Sequence, residues 1–327
     1  MRIGRLASWT GLAAGAMLGA VVAGSALAAP APTVVAIDFP TAQVGYALVQ
    51  SGPGLTATLY GTTNGGSRWT SLGARMTAGP GAIGFAPGGY GTALVNPNMG
   101  AGQAAWTVDE SRGGRTWTKS GTLYGSNGPL AVAYAGKSAW VLNGSFAGAW
   151  ATLSGKSGGR WRTAHTFEVP AAQRKAAFSP SAVGLSFSAA TGIAVVAYQP
   201  VAQGGTSPLY AYRSTDAGKT WSPVAVASHG LRGVIRAVSF AATGAGVVAV
   251  APMGSQTFTL YATSDGGARW TKSFTAENSA SVILDMVTGK VGYADVTSTS
   301  GPNGAHGHSQ ILRTADGGRS WHVVTTP

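Results

Sequence analysis

A phrase of eight residues, Ser/Thr-x-Asp-x-Gly-x-x-Trp, recurs six times along this chain of 327 residues. Its fullest copy is Ser214-Thr215-Asp216-Ala217-Gly218-Lys219-Thr220-Trp221. Two more keep every key position: Thr263, Asp265, Gly267 and Trp270, then Thr314, Asp316, Gly318 and Trp321. The first copy, with Thr62, Gly66 and Trp69, carries Asn64 in place of the acid. The second closes on Gly114 and Trp117, and the third runs from Ser154 through Gly158 to Trp161. In these two the aligned acidic position holds Arg112 and Lys156. Trp69, Trp117, Trp161, Trp221, Trp270 and Trp321 stand 48, 44, 60, 49 and 51 residues apart. Near-constant spacing of this length marks a repeat architecture, in which each unit buries its apolar face against its neighbours.

Each position has a physical task. An Asp or Asn oxygen accepts backbone N–H groups two residues on, as in an Asx turn. The Ser/Thr hydroxyl adds a second local bond. Glycine supplies the positive φ of a tight reversal, and Trp opens the next strand with a large apolar plate. The phrase therefore reads as a strand-to-strand turn, and in the second and third copies that turn rests on glycine and Trp alone. Around each phrase lies a longer unit. A first strand ends in a bulky residue (Phe39, Phe85, Tyr134, Phe187, Phe240, Met286), a second follows a short turn, a third leads into the phrase, and a fourth starts at the Trp. Four short strands per unit of about 50 residues is the pattern of a propeller blade. The expected fold is all-β: a six-bladed β-propeller of four-stranded antiparallel blades over residues 29–327. The order of strands does not require the first and last blades to exchange one, so the ring is expected to close by packing alone.

The repeat resembles the BNR or Asp-box β-propellers, a group that includes sialidases, some endoglucanases and the photosystem II assembly and stability factors. The resemblance covers roughly residues 34–327, and the spacing is most similar to the assembly-factor type. It implies the fold and says little of activity.

Arg2 and Arg5 precede an apolar run from Gly11 to Gly24 and the small residues Ala26-Leu27-Ala28. That is the pattern of a secretory signal peptide, residues 1–28, cut after Ala28. The chain has no cysteine, so no disulfide or thiol chemistry is available to it. Charged residues make up only 10% of it, with 22 Lys and Arg against 10 Asp and Glu. Without Arg2 and Arg5 the balance is 20 against 10, or +10. Few carboxylates leave little native charge to titrate in acid, and tolerance of low pH is expected.

A cation precedes each Trp by one or two positions: Arg68, Arg115, Arg160, Lys219, Arg269 and Arg319. All six phrases are third turns of their blades, so these cations should ring one face. A ring of one sign gathers anionic partners. The alternative is that each cation stacks on its Trp or balances the turn's own Asp. Aromatic and basic residues do not interleave as in nucleic-acid modules, so specific nucleic-acid reading is not expected.

Catalytic chemistry finds little support. The Phe-Arg-Ile-Pro signature of sialidases is absent. A carboxylate-pair glycosidase needs two acids about 5–10 Å apart. Asp38 and Asp285 each precede the bulky residue of a first strand, in blades that become neighbours on closure, yet they belong to the turn face and read as turn caps or ion-pair partners. Glu168, Glu277 and Asp295 are placed on the opposite, loop face, in different blades. His306 and His308 form a two-histidine pair without a third ligand, and no metal or cofactor is expected. The Trp residues outside the phrases, Trp106, Trp140 and Trp150, fall in strands, which leaves Tyr124 and Tyr198 as exposed-face aromatics. The expected function is a secreted, non-catalytic binding or assembly scaffold for a protein or an anionic envelope polymer; the alternative is a sialidase-like or endoglucanase-like glycoside hydrolase.

Overall fold

Short runs of Val, Ala, Leu and Thr punctuated by glycine turns are too brief for helices and rich enough in β-formers for strands. In a computed structural model they form twenty-four strands and, among the described residues, no helix. The described residues are 32–327 without 52–55, 78, 97–103, 126–127, 146–147, 158, 171–176, 202–203, 229 and 300–306. The leader expected at 1–28 lies outside them.

Six four-stranded antiparallel sheets each take four consecutive strands. Blade 1 is β1 (Thr33–Asp38), β2 (Gly45–Gln50), β3 (Thr56–Thr62) and β4 (Thr70–Thr77); blade 2 is β5 (Gly79–Phe85), β6 (Tyr90–Asn96), β7 (Ala104–Arg112) and β8 (Trp117–Gly125). Blade 3 is β9 (Leu130–Ala135), β10 (Ser138–Gly144), β11 (Trp150–Ser157) and β12 (Arg160–Glu168); blade 4 is β13 (Ala177–Ser188), β14 (Thr191–Pro200), β15 (Leu209–Ser214) and β16 (Ser222–Val224). Blade 5 is β17 (Val234–Phe240), β18 (Gly246–Ala251), β19 (Phe258–Thr263) and β20 (Thr271–Ala276); blade 6 is β21 (Ser279–Met286), β22 (Gly292–Ser298), β23 (Ser309–Thr314) and β24 (His322–Val323). The protein is a six-bladed β-propeller.

Apolar residues gather between blades. Six buried clusters fill the gaps, one per pair of neighbours. The gap between blades 6 and 1 is filled like the others, by Val34, Ile37, Phe39, Val49, Tyr293 and Ile311. Because a middle strand faces a neighbour on each side, β18 is buried at every position, which explains its unbroken Gly246-Val247-Val248-Ala249-Val250-Ala251.

The ring closes without strand exchange, as the strand order allowed, and it closes by the contacts used elsewhere. Tyr293 of blade 6 stacks on Phe39 of blade 1 at 3.4 Å between ring centroids, as Tyr46 of blade 1 stacks on Phe85 of blade 2 at 3.6 Å. The indole N–H of Trp69 donates to the Thr325 carbonyl at 2.7 Å, as that of Trp270 donates to Ala227 at 2.6 Å. The tail after β24 thus covers blade 1 as the tail after β16 covers blade 5. The wide spacing between the third and fourth Trp, expected as a loop over 168–181, is partly strand. β13 spans twelve residues and pairs with β14 past two register shifts around Pro180.

Candidate functional site

The phrase turns share one hydrogen-bonded core. In blade 4 the Ser214 hydroxyl donates to Asp216 Oδ1 at 2.8 Å and accepts the Gly218 N–H at 2.9 Å. Asp216 also accepts the Thr220 N–H at 2.9 Å and the Thr220 hydroxyl at 2.6 Å. Thr263 with Asp265, and Thr314 with Asp316, repeat the pattern. Thr62 with Asn64 does so with an amide oxygen. The carboxylate reaches four residues on, further than the two expected from an Asx turn, because positive φ coils the loop at Gly65 and Gly66, Ala217 and Gly218, Gly266 and Gly267, and Gly317 and Gly318. The Thr220 hydroxyl foremost, then the Thr220 N–H and the Ser214 hydroxyl, hold the Asp216 carboxyl at about 2. The Arg269 N–H and Thr263 hydroxyl lower that of Asp265. Each turn is fastened to the first turn of its own blade, as in Gly65 N–H to Gln43 O at 2.8 Å and Gly266 N–H to Gly244 O at 3.1 Å. The two turns therefore share a face.

Copies two and three depart from this plan in ways the alignment concealed. Ser111 lies opposite Gly91, the place Thr62 takes opposite Gly45. Six steps separate Ser111 from Trp117, against seven from Thr62 to Trp69, so one residue is missing after Ser111, and Arg112 directly precedes Gly113 as Asn64 precedes Gly65. The Ser111 hydroxyl is buried without a partner. The Trp117 indole still donates to Gly114 O at 3.0 Å. In copy three Ser154 sits within β11, paired with Thr163, and the chain reverses between Ser157 and Arg160 with Lys156 opposite Trp161. Ser154 and Trp161 thus belong to strands of a tight hairpin; Gly158 lies outside the described residues.

The six cations Arg68, Arg115, Arg160, Lys219, Arg269 and Arg319 are all exposed. Stacking on the phrase Trp, one expectation, is not how they sit. Among the described residues the cation over a ring is Arg112, 5.6 Å from the Tyr90 centroid, and the ion pair is Lys156 with Glu110 at 2.7 Å.

The six inner strands enclose a central channel of about 310 Å³. At its turn end stand Asp38, Ala133, Ser186, Ser239 and Asp285, each the residue before a bulky one, with Gly84 at the matching sequence position in blade 2. The polar four reach the next blade. Asp38 Oδ2 accepts the Phe85 N–H at 2.8 Å, Asp285 Oδ2 accepts the Phe39 N–H at 2.6 Å, and Ser239 Oγ accepts the Met286 N–H at 2.8 Å. Ser186 donates to the Phe240 carbonyl. These bonds satisfy inner-edge backbone groups that the sheet leaves unpaired. Burial, then the nearby Asp285 charge, raises the Asp38 pKa well above the carboxylate range; burial likewise raises Asp285, against the Phe39 N–H bond. The expectation of turn caps or ion-pair partners is replaced by links between blades, which sequence spacing alone did not disclose.

On the loop face, Glu168 ends β12 and Glu277 follows β20, both exposed. Asp295 is not there: it lies inside β22, fully buried. Its Oδ2 accepts the Thr297 hydroxyl at 3.1 Å while Oδ1 meets no partner among the described residues. Burial pushes its pKa up to about 7. Tyr198 is also inside a strand and only 1% exposed, whereas Trp150, at the start of β11, is 39% exposed and Tyr124 80%. An exposed Trp was not expected; its place at a strand end is the signal that could have found it. The His306 half of the histidine pair lies outside the described residues, and those described hold no group of three metal-ligating side chains.

No protein-family model and no curated protein sequence matches the chain. Solved structures do. The α-L-arabinanase of Penicillium chrysogenum with arabinobiose superposes at a TM-score of 0.57, with 13% identity over 88% of this chain and 93% of that one. A point mutant of the Aleuria aurantia lectin with α-methyl-L-fucoside gives 0.54, with 12% identity over 91% and 96%. YCF48 bound to a D1 peptide gives 0.46, with 14% identity over 90% and 82%. At such identities the likeness is one of fold, shared by a hydrolase and a sugar binder alike.

Proposed function

We propose that the protein is a non-catalytic binding scaffold, secreted by way of residues 1–28, whose partner is a protein or an anionic polymer of the cell envelope. The observation that carries this reading is the fate of its acids. Asp38 and Asp285 bond to neighbouring blades, Asp216, Asp265 and Asp316 bond within turns, Glu110 pairs with Lys156, and Asp295 is sealed in a strand. Asp109 is half-buried on β7 opposite Lys119, and Glu168 and Glu277 are exposed on different blades, whereas a hydrolase needs two acids converging on one bond.

One observation favours the hydrolase reading: Asp285 is close enough for its charge to raise the proton affinity of Asp38, and both line a cavity. A screen of glycan hydrolysis with the wild type and with Asp285→Asn separates the two. The scaffold reading expects no turnover by either protein, with capture of an envelope component by both. Turnover that the substitution abolishes would overturn it.

A further inference from the structure

The phrase turns are not equivalent around the ring. Blades 4, 5 and 6 keep the carboxylates Asp216, Asp265 and Asp316, each bonded into its turn. Blade 1 has the neutral Asn64, blade 2 has Arg112 in a turn one residue shorter, and blade 3 has replaced the whole turn by a hairpin. The departures carry the outer ladders of blades 2 and 3 on to Ser111–Trp117 and Ser157–Arg160, but at a cost in blade 2. In blade 2 the shortened turn leaves the Ser111 hydroxyl buried and unpartnered, where Thr62, Ser214, Thr263 and Thr314 each accept a glycine N–H. A buried polar atom without a partner costs about 1–3 kcal/mol. Natural chains break local rules of this kind at functional sites.

What changes is charge. Blades 1–3 keep their cations, Arg68, Arg115 and Arg160, and the first turn of blade 3 adds the exposed Lys137. None of these four meets a carboxylate or an aromatic face among the described residues. Of the acids near this sector's rim, Glu110 is paired with Lys156 and Asp109 is half-buried opposite Lys119. On blades 4–6 each cation, Lys219, Arg269 or Arg319, stands within four residues of a turn carboxylate that lowered or near-surface titration keeps ionised. The ring's cations thus have turn carboxylates as near neighbours over one half and none over the other, although the first turn of blade 6 adds the exposed Lys290.

From this juxtaposition we propose that the turn rim of blades 1–3 is a binding surface for a flexible linear polyanion. This deepens the scaffold reading and rests on it. Arginine forks suit phosphate and carboxylate oxygens, which a polymer presents at intervals. The rim curves with the ring, so a flexible chain can follow successive turns where a rigid duplex touches at a tangent.

The test uses the mature chain with inorganic polyphosphate and, in a second arm, polygalacturonate, which separates phosphate from carboxylate sources; duplex DNA serves as the rigid comparison. Binding is read by calorimetry from low to high salt. Replacing Arg68, Arg115 and Arg160 by Gln should weaken binding more than tenfold and flatten the slope of log K against log salt by about 2, taking roughly 0.7 per lost contact. Replacing Lys219, Arg269 and Arg319 by Gln should weaken it less than threefold. Equal losses from the two triples, tightest binding by the duplex, or no binding by either polymer would overturn the proposal. A protein captured from the envelope with neither polymer binding would leave the scaffold standing and this surface refuted.

Discussion

Asp295 offers the sharpest quantitative test. It is fully buried, with Oδ1 unpartnered, and its pKa rises from 3.8 to about 7 because burial disfavours the charge more than the Thr297 and Ser309 hydroxyls favour it. A folded-state value above the unfolded one means that the native state holds the proton longer. The contribution to stability is complete below about pH 4 and is lost as pH rises through about 7. Integrating over the two titrations, the folded protein should lose roughly 2.5 kcal/mol between pH 5 and pH 8 on account of this group alone. Asp38 and Asp285, raised for the same reason, act in the same direction. The lowered carboxyls Asp216 and Asp265 act oppositely, but only in more acid solution. The buried acids thus make mildly acidic solution the more stabilising, while the turn carboxylates Asp216, Asp265 and Asp316 withdraw stability in stronger acid. Asp295→Asn removes one titration while keeping the shape. Urea unfolding followed by Trp fluorescence at pH 5 and pH 8 should show that the variant's loss over this interval is smaller than the wild type's by about 2.5 kcal/mol. Parallel losses in the two proteins would refute the reasoning.

Two further outcomes follow from backbone geometry. Ala217 adopts φ 60°, where its counterparts Gly65, Gly266 and Gly317 lie between 67° and 79°, so Ala217→Gly should stabilise the protein by about 1 kcal/mol in a thermal melt. In the opposite sense, a Cβ on Gly45 would lie 2.2 Å from the Phe39 ring, so Gly45→Ala should displace that ring and its stack on Tyr293, at a cost of about 1–3 kcal/mol by the same measurement.

Much of the fold was legible because its marker is local. A hydroxyl, a short acid, a glycine and a Trp at fixed offsets encode a turn without help from distant chain, and six such turns fix the blade count. The same locality explains what was missed. Nothing near Asp38 or Asp285 in sequence shows that each accepts an N–H from the next blade, since Phe39 and Asp285 are 246 positions apart. Tyr198 reads as a loop residue because a Gly-rich segment follows it, and Asp295 as a residue of the loop face because its strand leads there, but their strands run on until the cross-strand ladder ends at Pro200 and Ser298. The shortened second turn was invisible to an alignment anchored on Trp117; pairing with β6 reveals the deletion.

Each blade is drawn from one unbroken stretch of chain, with the seam between blades 6 and 1 built like its neighbours. No position around the circle is therefore privileged by connectivity. Linking the two extremities and opening the polypeptide at Glu277, in the short link between β20 and β21, would give a circular permutant that retains every pairing among the twenty-four strands. A foreign domain spliced into that link would likewise interrupt no ladder.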